Sequence, residues 1–218
     1  MKGVFITGSD TDVGKTWVGE KLISLLVKQG VNVMPRKPVE SGWPDDEALS
    51  DAWKLASAAH KTAYLPQVCP NHFKAAISPD RAAMLENKTI IINALKNQCF
   101  QGVDENQFLY IEGAGGFYSP ICSDGLNKDL AVALDLPIIL VVNDRLGCIN
   151  QTLLTVEAIE NSQLELLAIV LNKKGDSEVT DMNNQNDLQQ RLTTPVVTIE
   201  HNQQGIAPFE QILSMLSI

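Results

Sequence analysis

The segment Gly8-Ser9-Asp10-Thr11-Asp12-Val13-Gly14-Lys15-Thr16 has the residue types of a phosphate-binding loop. It follows a short apolar run over residues 4–7, which predicts a strand, and it precedes a segment with the apolar spacing of a helix. Backbone N–H groups in such a loop hold phosphate oxygens, while Lys15 can neutralise them and Thr16 can place its hydroxyl on Mg²⁺. The order strand, loop, helix therefore predicts a P-loop that binds a nucleoside triphosphate.

This loop departs from the general P-loop pattern in one respect. The pattern has four residues between its first glycine and the Gly-Lys pair, and counting back from Gly14 reaches Ser9 rather than Gly8. The loop is thus a variant of the motif, and the alternative is a chance Gly-Lys-Thr in a turn. We expect Lys15 to be partly exposed in the empty site.

Two carboxylates are candidates for binding Mg²⁺, which prefers oxygen ligands. Glu112 ends a predicted strand over residues 108–112, just before Gly113-Ala114-Gly115-Gly116. Ligands of open α/β sheets bind beyond the carboxyl ends of the strands, and the glycines offer bare N–H groups to an anion. The alternative is a strand-end glutamate in a tight turn. Asp51 begins a helical stretch, where a capping role is the stronger interpretation from these residues alone.

Two further segments could contact a substrate. Lys37-Pro38-Val39-Glu40-Ser41-Gly42 follows a predicted strand, so Lys37 could be a second cation for phosphoryl transfer or a solvated surface lysine. Leu146-Gly147-Cys148-Ile149-Asn150 precedes a predicted helix over residues 151–160. Unpaired N–H groups at that helix start could hold a carboxylate, and the alternative is capping by Asn150.

Short apolar runs alternate with helical patterns along the chain, which is typical of parallel βα units. Strands are predicted over residues 4–7, 31–34, 108–112, 137–143, 166–172 and 196–199, and helices over 14–29, 49–59, 151–160 and 208–216. A weaker helical stretch begins over residues 81–85, and the polar residues 173–187 are expected to form a mobile loop. No linker divides the chain. We therefore expect one domain over residues 1–218, an α/β fold with a mostly parallel sheet and helices on both faces.

The composition excludes some classes of partner. The net charge of −9 and the pI near 4.8 disfavour binding to nucleic acid or to anionic membranes. The four cysteines form no CxxC pair, and no apolar stretch reaches the ~18 residues of a membrane helix. We see no signal peptide and expect a cytoplasmic protein.

Taken together, these segments resemble one family, the dethiobiotin synthetases of the biotin pathway. The likeness rests on the phosphate loop with its long spacing, on Lys37 to Gly42, on Glu112 to Gly116 and on Leu146 to Asn150. It also includes Ser50-Asp51-Ala52, and it extends from the start of the chain to about residue 172. All four segments, in this order and at these distances, make the likeness highly specific.

The resemblance implies a fold like that of P-loop nucleoside triphosphate hydrolases, and a homodimer with a shared active site. It implies an ATP-dependent ligase that uses Mg²⁺ and closes 7,8-diaminopelargonic acid with CO₂ to dethiobiotin. The reaction would pass through a carbamate and a carbamic–phosphoric anhydride and release ADP and phosphate. No covalent enzyme intermediate is needed.

The same resemblance assigns residues to roles. Catalysis would involve Thr11, Lys15, Lys37 and Ser41. The nucleotide would contact Asp12, Val13, Gly14, Lys15, Thr16, Trp17, Asp51, Glu112, Gly113, Ala114, Gly115 and Asn172. The metal would be held by Thr16, Asp51 and Glu112. The substrate would contact Thr11, Lys37, Ser41 and Gly115, with its carboxylate on Leu146, Cys148 and Asn150 of the partner subunit's loop.

Two segments depart from the family pattern. The residues Thr198-Ile199-Glu200-His201-Asn202 replace a Gly-x-Ile/Leu-Pro turn beside the base, which leaves base selectivity open, and Trp43-Pro44-Asp45-Asp46-Glu47 has no recognisable match. One alternative function is a P-loop switch ATPase that positions partner proteins. Lys15 is the loop's sole lysine and the last eleven residues lack a basic residue, which disfavours it. The other alternative is a related ATP-dependent amidoligase.

Overall fold

The computed structural model describes residues 2–175, 181–201 and 205–216. Its strands are β1 (Gly3–Gly8), β2 (Val33–Arg36), β3 (Val39–Ser41), β4 (Asn71–Phe73), β5 (Phe108–Gly116), β6 (Pro120–Cys122), β7 (Gly125–Leu126), β8 (Ile138–Asn143), β9 (Leu166–Asn172) and β10 (Val196–Ile199). Its α-helices are α1 (Lys15–Lys28), α2 (Asp51–Ala58), α3 (Leu65–Val68), α4 (Pro79–Leu85), α5 (Ile92–Phe100), α6 (Asn127–Leu134), α7 (Cys148–Asn161), α8 (Asn184–Gln189) and α9 (Ala207–Leu213). Short 3₁₀ turns cover Glu47–Leu49 and Thr62–Tyr64.

Six of these strands form one parallel sheet in the order β10-β9-β8-β1-β5-β2. Two small ladders lie apart from it, a parallel pair of β3 with β4 and an antiparallel pair of β6 with β7. The expected α/β fold with a mostly parallel sheet is therefore confirmed. The carboxyl ends of β1, β5 and β2 are neighbours. The phosphate loop follows β1, the segment that begins with Lys37 follows β2, and the segment from Glu112 to Gly116 forms the end of β5.

Both faces of the sheet are covered. Successive residues of each strand point to opposite sides, so each strand contributes side chains to both faces. In β1, Phe5 belongs to one hydrophobic cluster, while Val4 and Ile6 belong to the other. The first cluster includes residues of α5, α6 and α7, and the second includes residues of α1 and α9. The continuous apolar runs of β8 and β9 follow from this double burial, and the prediction of helices on both faces is confirmed.

The first helix agrees with its prediction to within one residue at each end. Gly14 precedes it with a φ of 94°, and Gly30 follows it with a φ of 84°, as a terminating glycine should. The predicted apolar face is buried, with Val18, Leu22 and Leu26 in one hydrophobic cluster. This helix therefore holds the end of the phosphate loop in a fixed position against the sheet.

The second strand begins two residues later than predicted and includes a buried arginine. The Arg36 guanidinium donates to the carbonyl oxygens of Pro35, Cys99 and Gln101 at 3.0, 3.2 and 2.7 Å. These hydrogen bonds satisfy the buried guanidinium, so a charged residue can lie inside the strand. The strand therefore continues beyond the apolar run from which it was predicted. The same hydrogen bonds also attach the end of α5 to β2.

The prediction of a loop over residues 173–187 is partly wrong, because α8 begins at Asn184. Residues 176–180 of that loop lie outside the described residues, as does Asn202 of the segment over residues 198–202 that departs from the family pattern. Among the residues that the structure does describe, no helix has the length and apolar character needed to cross a membrane.

Tyr110 of β5 provides a test of this core. Its side chain is fully buried, and its hydroxyl has no hydrogen-bond partner within the described part of the chain. Burial, helped by the nearby Glu112 carboxylate, raises the pKa of this phenol well above its usual range. An unsatisfied buried hydroxyl costs free energy, so Tyr110→Phe should raise the free energy of unfolding by about 1 kcal/mol in denaturant titrations.

The exposed Tyr64 is the matched control. Tyr64→Phe removes the same atom from the surface and should change the free energy of unfolding by less than about 0.5 kcal/mol. Destabilisation by Tyr110→Phe alone would show that its hydroxyl has a partner, such as a buried water.

Candidate functional site

A cavity of about 440 Å³ lies at the carboxyl ends of β1, β2 and β5. The residues assigned from the sequence that line it are Thr11, Asp12, Gly14, Lys15, Thr16, Trp17, Lys37, Ser41, Asp51, Ala114 and Gly115. The structure thus brings together side chains from four separate segments of the chain. Its edge position agrees with the rule that ligands of open α/β sheets bind beyond the carboxyl ends of the strands.

The backbone of the phosphate loop requires a glycine at position 14. A Cβ atom at Gly14 would lie 2.1 Å from Nδ2 of Asn172, in addition to the strain of a φ of 94°. That amide nitrogen donates to the carbonyl oxygen of Val13 at 2.9 Å. The Val13 side chain is buried in the core, so this residue can meet a nucleotide through its backbone alone. Asn172 contacts the loop itself, and its contact with a nucleotide stays a prediction.

Lys15 is buried rather than partly exposed, so our expectation for the empty site is wrong. Its ammonium donates to the carbonyl oxygen of Asp10 at 3.2 Å, which folds the side chain back over the loop. Burial, and then repulsion by Lys37, lower the pKa of Lys15 to about 8. An anion bound in the loop would favour the charged form.

A compact cluster lies beside this loop. The Lys37 ammonium lies 2.5 Å from Oε1 of Glu112 and 3.1 Å from Oδ2 of Asp51. The Thr16 hydroxyl donates to the same Oε1 of Glu112 at 2.8 Å. The three predicted metal-binding residues and the predicted second cation therefore meet at one place.

The charges in this cluster support each other. Burial lowers the pKa of Lys37, but the adjacent Glu112 and Asp51 carboxylates outweigh it and hold that pKa well above its usual value. Burial raises the pKa of Asp51, yet Lys37 outweighs it and the pKa is lowered overall. At neutral pH, Lys37 is thus a cation and Asp51 an anion.

Two alternatives left open by the sequence are excluded by these positions. Lys37 is buried, so it is not a solvated surface lysine. Ser50, not Asp51, is the N-cap of α2, because the Ser50 hydroxyl accepts from the backbone N–H of Trp53 at 3.1 Å. Asp51 is the first residue of the helix, and its carboxylate is directed at Lys37.

The donor set fits a magnesium ion that is bound together with a nucleotide. Oε2 of Glu112 is buried and has no hydrogen-bond partner among the described residues. No group of three or more His, Cys, Asp and Glu side chains in that part of the chain could hold a metal by itself. One hydroxyl and two carboxylates leave the remaining positions to water and phosphate oxygens, as Mg²⁺ usually requires.

The glycine-rich segment after Glu112 differs from its prediction. Strand β5 continues through Gly116, and two of the N–H groups expected to face an anion are already bonded. The N–H of Ala114 donates to Oδ1 of Asn127 at 3.1 Å, and that of Gly116 donates to Oγ of Ser119 at 2.8 Å. Gly113 is buried against Asn127, outside the cavity lining. Ala114 and Gly115 line the cavity. The position of Gly113 does not favour its direct contact with a nucleotide.

The loop before α7 is not part of this cavity within its own chain. Leu146 is 75% exposed, and Asn150 is exposed in the first turn of α7. The N-cap of α7 is Gly147, without a side-chain cap, so capping by Asn150 does not occur. The Cys148 side chain is buried in the core and its N–H donates to the carbonyl oxygen of Arg145. We therefore withdraw Cys148 as a substrate contact.

Four residues that line the cavity were missed by the sequence analysis, namely Glu20, Glu40, Lys54 and Lys174. Lys174 follows β9, and its ammonium donates to the carbonyl oxygen of Asp12 at 2.6 Å. Burial raises the pKa of Glu20, and it also raises that of Glu40. A signal for Glu40 was available, because it belongs to the segment that contains Lys37 and Ser41.

Comparisons with known proteins identify the family of this chain. The family profile described as "AAA domain" matches residues 2–207. A protein named ATP-dependent dethiobiotin synthetase BioD from Cellvibrio japonicus is 36% identical over 201 residues, covering 91% of this chain and 88% of its own length. The protein of that name from Anaeromyxobacter dehalogenans is 36% identical over 178 residues, covering 82% of this chain and 79% of its own length. The chain belongs to the dethiobiotin synthetase family.

Members of this family are ATP-dependent ligases, and the fold agrees with that of other nucleotide-binding proteins. Cobyrinic acid a,c-diamide synthase from Mycobacterium smegmatis, solved with bound ADP and magnesium, has a TM-score of 0.52 at 17% identity, covering 99% of this chain and 94% of its own. The septum site-determining protein MinD from Pyrococcus horikoshii, complexed with Mg-ADP, has a TM-score of 0.51 at 18% identity, covering 99% of this chain and 86% of its own. These likenesses show the α/β P-loop fold alone.

The lowered pKa of Lys15 predicts a pH dependence of nucleotide binding. Because bound phosphates favour the charged form, ADP binding above pH 8 should take up a fraction of a proton. The affinity for ADP should fall by about tenfold between about pH 7 and about pH 9, since the free protein loses the proton there. Calorimetry in two buffers of different ionisation enthalpy measures both effects. Lys15→Met should remove the proton uptake, and an uptake unchanged by that substitution would contradict the assignment.

Proposed function

We propose that this protein closes 7,8-diaminopelargonic acid with CO₂ to the cyclic urea dethiobiotin, with cleavage of ATP to ADP and phosphate. The observation that carries the proposal is the buried Lys37, placed between Asp51 and Glu112 and beside Thr16 of the phosphate loop. This cluster suits the transfer of a phosphoryl group to an anionic acceptor, in a chain that belongs to the dethiobiotin synthetase family.

The first step concerns the diamine. One amine adds to CO₂ and loses a proton to water, giving a carbamate anion. Lys37, a cation at neutral pH, can hold one carbamate oxygen, while Thr11 and Ser41 border the same cavity. Binding in this pocket orients the carbamate towards the phosphate loop, so the reacting groups need little further ordering.

In the second step the carbamate oxygen attacks the γ-phosphorus of ATP, and ADP leaves with the electron pair of the broken P–O bond. The product is a carbamic–phosphoric anhydride. Mg²⁺, when bound, neutralises charge on the β- and γ-phosphates. Lys15 holds the transferred phosphoryl oxygens, and Thr16, Asp51 and Glu112 are the residues that would bind the ion. Catalysis of this step is largely positioning and charge stabilisation.

In the third step the second amine attacks the anhydride carbon, and phosphate leaves as the C–O bond breaks. The amine loses one proton, which water or phosphate accepts, and a five-membered ring closes. Both reacting groups belong to one molecule, so a folded pose supplies a high effective concentration. Lys15 and Lys37 stabilise the departing phosphate.

We propose further that two copies of the chain form a two-fold dimer with shared sites. A second cavity of about 660 Å³ opens between the start of the phosphate loop, residues 116–120 and α7. Its surroundings include the exposed apolar side chains of Tyr118 and Leu154. The exposed loop with Leu146 and the start of α7, which lacks a side-chain cap, suit contact with the tail carboxylate of the partner's substrate.

An incubation with purified protein tests the reaction directly. Diaminopelargonic acid, ¹³C-labelled bicarbonate and MgATP should yield a product that carries one labelled carbon and has lost two hydrogens and one oxygen relative to the carbamic acid form, as mass spectrometry can determine. Lys15→Ala should abolish turnover without unfolding the protein, because its charge acts on phosphate oxygens. ATP consumption without a labelled cyclic product would overturn the proposal.

Mixing two inactive variants tests the shared site. A Lys37→Ala subunit loses the chemistry, and an Asn150→Asp subunit repels the substrate carboxylate. A heterodimer of the two contains one site with neither defect. Random pairing makes about half of the dimers heterodimers with one intact site of two, so activity should return to roughly a quarter of wild type.

Subunit exchange must be verified independently, for example by native mass spectrometry of differently tagged chains. The control mixes Lys37→Ala with Lys15→Ala. Both substitutions affect the half of the site that one subunit supplies, so no dimer contains an intact site and this mixture should stay inactive. If verified heterodimers of the first pair show no recovery, the shared-site proposal is wrong.

A further inference from the structure

The carboxylate of Glu40 is bound to the start of α2 rather than to a ligand. Oε1 of Glu40 accepts the backbone N–H of Asp51 at 2.8 Å, and Oε2 accepts that of Ala52 at 2.9 Å. We infer that Glu40 is a positioning residue that holds Asp51 in place for the metal ion. This inference rests on the proposed function in one point, the assignment of Asp51 as a metal-binding residue.

These contacts complete the capping of α2. The first N–H groups of a helix have no partner within it. Here the first two donate to Glu40, the third, of Trp53, donates to the Ser50 hydroxyl, and the fourth, of Lys54, donates to the Ser50 carbonyl oxygen. Ser50 thus supplies an ordinary local cap, whereas Glu40 comes from a different element, ten positions before Ser50 in the sequence.

The bidentate contact joins the two segments whose charges meet in the site. Glu40 lies in β3, within the segment that contains Lys37, and β3 pairs with β4 rather than with the central sheet. Asp51 is the first residue of α2, so fixing its own N–H fixes the base of its side chain. The Asp51 carboxylate then lies 3.1 Å from the Lys37 ammonium.

Glu40 differs in this respect from the other buried carboxylate of the site. Oε2 of Glu112 has no partner among the described residues and can bind an ion directly. Both oxygens of Glu40 accept backbone N–H groups, and the residue is buried. Glu40 therefore acts through Asp51, by orientation, and is not assigned as a ligand.

A direct measurement of metal binding tests this role of Glu40 without any turnover. Electron paramagnetic resonance of Mn²⁺, titrated into the full-length protein with ADP, reports the affinity for the ion. Glu40→Gln keeps the size but sets an amide N–H₂ against a backbone N–H. We expect it to weaken Mn²⁺ binding by about tenfold, the lower end of the effect of removing a group that orients a metal ligand. Glu40→Asp keeps the charge but cannot reach both N–H groups, and it should also weaken binding.

Two comparisons separate orientation from charge and from general destabilisation. Glu47→Gln removes an exposed carboxylate close to α2 and should leave the affinity for Mn²⁺ unchanged. Ser50→Ala weakens the same first turn through Trp53 and should lower thermal stability with a smaller effect on Mn²⁺. If Ser50→Ala weakens Mn²⁺ binding as much as Glu40→Gln does, the role of Glu40 is structural and the inference fails.

A double-mutant cycle with Asp51→Asn gives the decisive result. If Glu40 acts through Asp51, Glu40→Gln should change the Mn²⁺ affinity by less than about twofold in the Asp51→Asn background, because groups that act as one unit are not additive. An unchanged tenfold effect in that background would overturn the inference. The titration needs neither the diamine nor CO₂, so its outcome is independent of whether dethiobiotin is formed.

Discussion

The buried ammonium of Lys37 is the interaction on which the arrangement of the site depends. A carboxylate such as that of Glu112, with no exposed surface, would be very costly without a cation beside it. Lys37 compensates Glu112 and Asp51 together, and the same Glu112 oxygen accepts the Thr16 hydroxyl. Removing the cation would leave two negative charges close together, so the placement of the Asp51 and Glu112 carboxylates beside each other depends on it.

Strand order explains why these groups meet although they are far apart in sequence. In the sheet, β5 lies between β1 and β2, so Glu112 emerges between the phosphate loop that follows β1 and the segment that follows β2. Parallel strands present their carboxyl ends at one edge, which makes this edge the natural place for a ligand. Asp51 reaches the same edge from the start of a helix, and β3 brings Glu40 to that helix.

Periodicity and turn chemistry predicted the parallel sheet, α1 and the phosphate loop, because these signals are local. They missed α5 and α6, whose helical character depends on packing against the sheet, and they missed the buried Arg36, whose partners are two carbonyl groups far along the chain and one adjacent. Residue types also suggested Asp51 as a cap, and the family resemblance suggested Cys148 as a contact. Burial and tertiary hydrogen bonds decide such cases, and neither can be read from spacing.

The phosphate loop is attached to the end of β9 as well as to α1. Asn172 donates to the carbonyl of Val13, and Lys174 donates to that of Asp12, although β9 lies two strands away from β1 in the sheet. A loop held in this way already has its backbone ordered before a nucleotide arrives. Binding therefore costs little conformational entropy in the loop, and more of the attraction between protein and phosphate remains available as affinity.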